Sequence, residues 1–153
     1  MQEFDDYRGL FANGGDLDYP PILTVGLAWK ATPRSVVVFD IQQIYYSEVD
    51  AISNSITKLN NCPTAPFSGS DQNSCFGGSN GPGFGWDDMT VYKLGYQWQH
   101  GHDWTWRVGI SYGKNPVKQT TLSILAPGVI ETHLTFGFTK KTGKNSEFNL
   151  AAM

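Results

Sequence analysis

Lys93, Arg107, Glu131, His133 and Glu147 are the residues most able to do chemistry in this 153-residue sequence, because each alternates with aliphatic or aromatic neighbours. A partly dehydrated cation attracts a carboxylate more strongly than an exposed one. Lys93 and Arg107, on adjacent segments, are therefore candidate partners for an anionic head group. The competing reading is a structural ion-pair network joining them to Glu131, Glu147 and Asp40. His133 either titrates near neutrality or is held by a hydrogen bond, the commoner outcome for such a histidine.

The remaining polar clusters carry less. His100 and His102 share a short polar turn without a third ligand, so they are expected in solvent rather than on a metal. The stretch from Gly77 to Gly85 is glycine-rich but lacks the Gly-Lys-Ser/Thr ending of a phosphate loop. Asp87 and Asp88 are adjacent at a strand entrance and project to opposite faces, which suits neither paired-carboxylate catalysis nor calcium. No set of nucleophile, base and orienting group is legible. The sequence predicts a non-enzyme with neither cofactor nor metal. Cys62 and Cys75 lie in a Pro/Gly/Ser/Asn-rich stretch; a small loop disulfide in an oxidising compartment and two free thiols both fit their spacing.

A second kind of chemistry is the capture of apolar molecules, which needs apolar surface that is not already buried. Phe4, Tyr7, Leu10 and Phe11 recur at helical spacing before Asn13-Gly14-Gly15, and Val49, Ile52, Ile56 and Leu59 do the same after Tyr46. Both stretches read as short amphipathic helices whose apolar stripes either bind a hydrophobic ligand or pack as structural caps. Leu122, Ile124 and Leu125 form a third apolar patch with the same two readings.

The elements that hold these residues are strands. Six segments, at about 21–30, 34–45, 90–99, 104–113, 129–140 and 146–153, alternate apolar and polar residues with a period of two. In the third, Tyr92, Leu94, Tyr96 and Trp98 oppose Lys93, Gly95, Gln97 and Gln99. The connections after strands one, three and five are short, whereas 46–89 and 114–128 are long. Short turns at one end and long loops at the other are the asymmetry of outer-membrane barrels, with the long loops extracellular. Trp98, Trp104 and Trp106 crowd the short-turn end and Tyr92 and Tyr112 the long-loop end, as in an aromatic girdle.

Charges opposite the aromatics would be unpaired in a dry core but are tolerable in a hydrated lumen. A soluble lipid-binding barrel would invert the two faces, and alternation by itself does not say which is inside. Loop asymmetry, the girdle and the number of aromatics favour the membrane. The fold class expected is all-β, an antiparallel transmembrane β-barrel fragment of about six strands with two short extracellular amphipathic helices.

Composition narrows the rest. With 11 basic and 14 acidic residues the net charge is -3, which offers no polycationic surface for nucleic acid. No run approaches the roughly 18 to 20 apolar residues of a membrane helix. The N-terminus has neither a basic n-region nor an apolar h-region, so a signal peptide is expected outside the sequence. The last segment stops in mid-strand, and six strands are fewer than the eight or so of the smallest single-chain barrels. The chain reads as truncated.

Four stretches then carry a family resemblance. LFANGGDLD at 10–18, GWDDMTVYKLG at 85–95, YGKNP at 112–116 and LAPGVIETHLT at 125–135 look like the C-terminal half of FadL-type outer-membrane transporters, in the family's order. The loop from Cys62 to Gly85 carries no such motif. The resemblance implies a 14-stranded barrel that moves long-chain fatty acids or other hydrophobic compounds, with an N-terminal hatch that this sequence lacks. It implies passive diffusion in the bacterial outer membrane and a monomer in contact with membrane lipid and lipopolysaccharide. The ligand would be a long-chain fatty acid or an aromatic hydrocarbon. A general porin or adhesin barrel and a soluble lipid-binding β-barrel are the other readings the residues allow.

Overall fold

The computed structural model describes residues 10–15, 18–64, 66–117 and 130–153. They fall into two compact units, a sheet and a loop unit.

The sheet contains six strands in sequence order: β1 (Ile22–Thr32), β2 (Ser35–Ile44), β3 (Met89–His100), β4 (Trp104–Gly113), β5 (Thr132–Lys141) and β6 (Glu147–Ala152). The pairing of β3 with β4, β4 with β5 and β5 with β6 is antiparallel. β1 runs on through Ala31 and Thr32, leaving Pro33 and Arg34 as the turn. Proline presets the φ that such a turn needs at its first central position. The Thr32 and Ser35 hydroxyls, 2.8 Å apart, close the turn.

Register fixes the faces. Leu94, Ile110 and Leu134 lie in one row across β3, β4 and β5, and Tyr96, Val108 and Phe136 in the next. These side chains stay substantially exposed; Leu134, for one, keeps 71% of its surface accessible. On the other face the rows are Lys93, Ser111 and His133, then Gln97, Arg107 and Gly137. A soluble sheet buries one face, but here neither face has a hydrophobic core. Among the described residues no helix is long and apolar enough to cross a membrane.

The loop unit holds the apolar cluster of Val49, Ala51 and Ile52, with Phe11, Tyr46 and Trp86 packed against it. The amphipathic helix expected over 49–59 is broken. A single α-turn spans Asp50–Ser53, Asn54 leaves it with extended backbone (φ -59°, ψ 140°), and a 3-10 stretch resumes at Ile56–Asn61. Asn54 is drawn away by its side chain, which donates to the Gly81 carbonyl at 2.9 Å and accepts from Lys58 Nζ at 2.7 Å. Asn readily exchanges helical bonds for such local ones. Most of the expected first helix lies outside the described residues. Its described end, Ala12–Gly15, is a left-handed turn with Asn13 at φ 56° and Gly14 at φ 74°. The amides of Ala12, Asn13 and Gly14 bond to the carbonyls of Pro82, Gly78 and Gly77.

The candidate site: a two-faced strand wall and an apolar loop cluster

On the polar face, side chains bond from strand to strand. Lys93 Nζ donates to Gln42 Oε1 at 2.8 Å. Arg107 donates from Nε to Gln97 Oε1 at 2.8 Å and from Nη1 to Thr139 Oγ1 at 2.7 Å. Thr139 then donates to Asn149 Oδ1 at 2.6 Å, and Asn149 donates to Glu147 at 3.2 Å. The expected network of Lys93 and Arg107 with Asp40 and Glu147 is corrected accordingly. Both cations are held by neutral oxygens in these bonds, because register puts Gln97 directly opposite Arg107 on one side and Gly137, two residues from Thr139, opposite it on the other.

Nor do Lys93 and Arg107 converge on one anion. Arg107 pairs with Gln97, four residues from Lys93 along β3, a separation of about 13 Å at the usual strand rise. His133 sits opposite Ser111, half-buried, and the Glu131 carbonyl accepts from the Gly113 amide at 2.9 Å. His100 and His102 are exposed around the β3–β4 turn.

Between the polar groups runs a lane of small residues. An added Cβ would come within 2.7 Å of Val38 Cγ2 at Gly95 and 2.6 Å of Thr135 Oγ1 at Gly109. The absence of side chains there lets Val38 and Thr135 lie across the wall. Together with Asp40, Lys93 and Ser111 they line a groove of about 230 Å³. Sequence reading missed the part played by these glycines, although their alternation with Leu94 and Ile110 was its available signal.

The apolar face carries a continuous aromatic strip at the short-turn end. Ring centroids are 6.4 Å apart for Trp98 and Trp106, 5.4 Å for Trp104 and Trp106, 5.3 Å for Trp106 and Phe138, and 5.9 Å for Phe138 and Phe148. Tyr92 and Tyr112 face each other near the opposite end of β3 and β4.

The loop unit separates the proposed capture residues. Val49, Ile52 and Leu59 are buried and Phe11 is half-buried against Phe84, 4.7 Å between rings. These four hold the unit together and offer little free surface, because the break at Asn54 turns the expected stripe into a core. Leu10 and Ile56 remain exposed, as does Phe76, which sequence reading passed over. Phe4, Tyr7, Leu122, Ile124 and Leu125 lie outside the described residues.

Cys62 and Cys75 form a disulfide, with Cα atoms 4.8 Å apart. Beside it Asp71 accepts from the Ser74 hydroxyl at 2.6 Å, from the Asn73 amide at 3.0 Å and from Asn80 at 3.5 Å. These bonds, led by that from Ser74, hold the Asp71 carboxyl below its ordinary range. Burial raises the Tyr46 phenol above its own. Asp88 ties the ends of the long connection, accepting from the Ser47 amide at 2.9 Å and hydroxyl at 3.1 Å. No catalytic grouping follows from these contacts, which satisfy backbone and side-chain donors.

Compared with known proteins, residues 10–151 match the family described as outer membrane protein transport protein (OMPP1/FadL/TodX). This chain belongs to that family. FadL/TodX proteins are transport proteins of the outer membrane rather than enzymes. Among solved structures the chain resembles the P. putida toluene transporter TodX at 24% identity and a TM-score of 0.56. It resembles the Ralstonia pickettii toluene transporter TbuX at 19% identity and a TM-score of 0.52. These likenesses establish the fold. They cover 89% and 87% of this chain but 28% and 27% of the two transporters, so the chain spans under a third of their length. No curated protein matches it.

The FadL/TodX family bears on the alternation that sequence left open. An outer-membrane barrel sets its apolar band outward and its polar residues inward. In such a barrel the apolar row of Leu94, Ile110 and Leu134 corresponds to the outward band, and the polar row that includes Gln97 and Arg107 to the inward one. The six strands form part of such a barrel, because an open sheet edge is untenable in lipid.

Proposed function

We propose that the complete barrel containing this chain passes hydrophobic small molecules across the bacterial outer membrane by passive diffusion, acting as a monomer. The observation that carries this reading is the split wall. It combines a lipid-matched outer face with an inner face whose cations bond to Gln42, Gln97 and Thr139 along the wall and whose glycines are overlain by the short side chains of Val38 and Thr135. These bonds hold Lys93 and Arg107 about 13 Å apart along the wall, so the two cations do not converge on one carboxylate, and the inner face suits an uncharged or weakly polar passenger better than one that needs a built anion site. Aromatic hydrocarbons are the first candidates and long-chain fatty acids the second.

Capture is assigned to apolar residues of the long connections 46–89 and 114–128: the exposed Ile56 and Phe76 in the first and, by sequence, Leu122, Ile124 and Leu125 in the second. Leu10, and by sequence Phe4 and Tyr7, are assigned to capture as well, and the outer wall meets membrane lipid and lipopolysaccharide. The test is uptake of radiolabelled toluene and oleate by energy-depleted cells with and without the complete protein. Protein-dependent entry of toluene, faster than that of oleate, is expected. Entry that stops on energy depletion would exclude passive diffusion, and a lack of protein-dependent entry for either ligand would exclude the function.

A further inference from the structure

Lys140 occupies an unusual position on the outer wall. Register sets it in one row between Trp104 and Phe148, on the face that meets lipid. Its ammonium lies 4.9 Å from the Trp104 ring centroid and makes no hydrogen bond or ion pair among the described residues. A lysine facing the bilayer turns its charge toward the head groups while its methylenes stay on apolar surface. Trp104, Trp106 and Phe138 provide that surface as a strip of neighbouring rings.

The surrounding charge is one-sided. Within the three short turns and the three residues on either side of each stand five cations, Lys30, Arg34, Lys140, Lys141 and Lys144, against the carboxylates Asp103 and Glu147. The chain as a whole has the opposite sign, at -3. Backbone bonds hold these turns to their neighbours, from the Gln99 amide to the Arg34 carbonyl and from the Lys141 amide to the Asp103 carbonyl, each 2.8 Å. Short turns lie on the periplasmic side of such barrels, where the leaflet is phospholipid.

From this juxtaposition we infer that the short-turn end holds an anionic phospholipid. Lys140 contacts its phosphate, Lys144 adds to the field, and the Trp104–Trp106–Phe138 strip carries the glycerol and upper acyl chain. The site is separate from whatever crosses the lumen, so it stands or falls independently of the transport reading.

The experiment is tryptophan quenching of the complete protein reconstituted in phosphatidylcholine bilayers that contain brominated phosphatidylglycerol or brominated phosphatidylcholine at equal mole fraction. Wild type should favour phosphatidylglycerol by about fivefold, the effect of one basic residue near an anionic surface. Lys140→Gln should bring the two lipids level, Lys140→Arg should retain the preference, and Lys58→Gln in the loop unit should leave it unchanged. Equal quenching by both lipids in wild type overturns the inference, and that measurement needs no variant to fold. A preference that survives in a folded Lys140→Gln protein overturns the assignment to Lys140.

Discussion

Arg107 on β4 donates to the hydroxyl of Thr139 on β5 at 2.7 Å, and Thr139 hands the polarity on to Asn149 on β6. With the bond from Arg107 back to Gln97, one chain of side-chain hydrogen bonds crosses four strands on the polar face. Thr139 is its hinge point, with only 7% of its surface accessible. Each donor in the series is oriented by the one before it, which is how such chains gain over isolated pairs.

Removing the Thr139 hydroxyl should therefore cost more than a single exposed bond. Thr139→Val is expected to destabilise the barrel by about 1 to 3 kcal/mol, the range for leaving a buried polar group unpaired. Thr139→Ser should cost less. Urea unfolding of the complete protein in lipid vesicles measures both, and equal stability of Thr139→Val and wild type would remove the chain of bonds from the account.

The outer wall is tested by charge. Leu94→Arg and Val108→Arg should each cost roughly 2 to 4 kcal/mol if these side chains sit at the bilayer midplane. Gln99→Arg, on the polar face opposite Thr105, should be mild by comparison. The same unfolding measurement ranks the three, and a reversed order would mean that the faces are inverted.

The loop unit depends on its bridge. Replacing Cys62 and Cys75 together by Ser should lower its local stability by about 3 kcal/mol, the loop-entropy value for a closed segment of this size. Amide exchange at Asn73, Ser74 and Gly78 reads this locally, without requiring the sheet to unfold.

Acid should loosen the same region. Asp71 has its ionisation favoured by the bonds from Ser74 and Asn73, so its folded value lies below its unfolded one. Stability gained this way is present above the unfolded value, near 3.8, and is lost as pH falls through the lower folded value. Reduction of the Cys62–Cys75 bridge by a phosphine, followed from neutral pH downward, should accelerate in that acid window. Asp71→Asn should show no such acceleration, since it has no carboxyl to titrate.

Ligand capture separates exposed from buried apolar residues. Ile56→Ser and Phe76→Ser should weaken saturable binding of toluene severalfold while the loop unit stays folded, which tryptophan fluorescence titration can follow. Ile52→Ser, by contrast, should disrupt the cluster that includes Val49 and Trp86. Deleting a buried aliphatic side chain of this size typically costs about 2 to 5 kcal/mol. Unchanged titrations for Ile56→Ser and Phe76→Ser together would place capture elsewhere.

The strands and the division into two faces were legible in the sequence because successive strand residues point to opposite sides. The alternation of Tyr92, Leu94, Tyr96 and Trp98 with Lys93, Gly95, Gln97 and Gln99 is a local property of the chain and needs no partner to be read. Partners are another matter. Lys93 bonds to Gln42 across a connection of more than forty residues, and no local pattern sets that register. The apolar spacing of Val49, Ile52, Ile56 and Leu59 gave no hint that Asn54 breaks the helix and buries three of the four. That break depends on Gly81 and on the way the Lys58 amine spans Asn54 and Asn80. Sequence by itself determined the strand segments, the two chemistries of the wall and, through its motifs, the family. Tertiary structure decided which oxygens hold Lys93 and Arg107, which apolar loop residues stay exposed, and that Lys140 rests on Trp104. Those are contacts between segments far apart in the chain, and only folding brings them together.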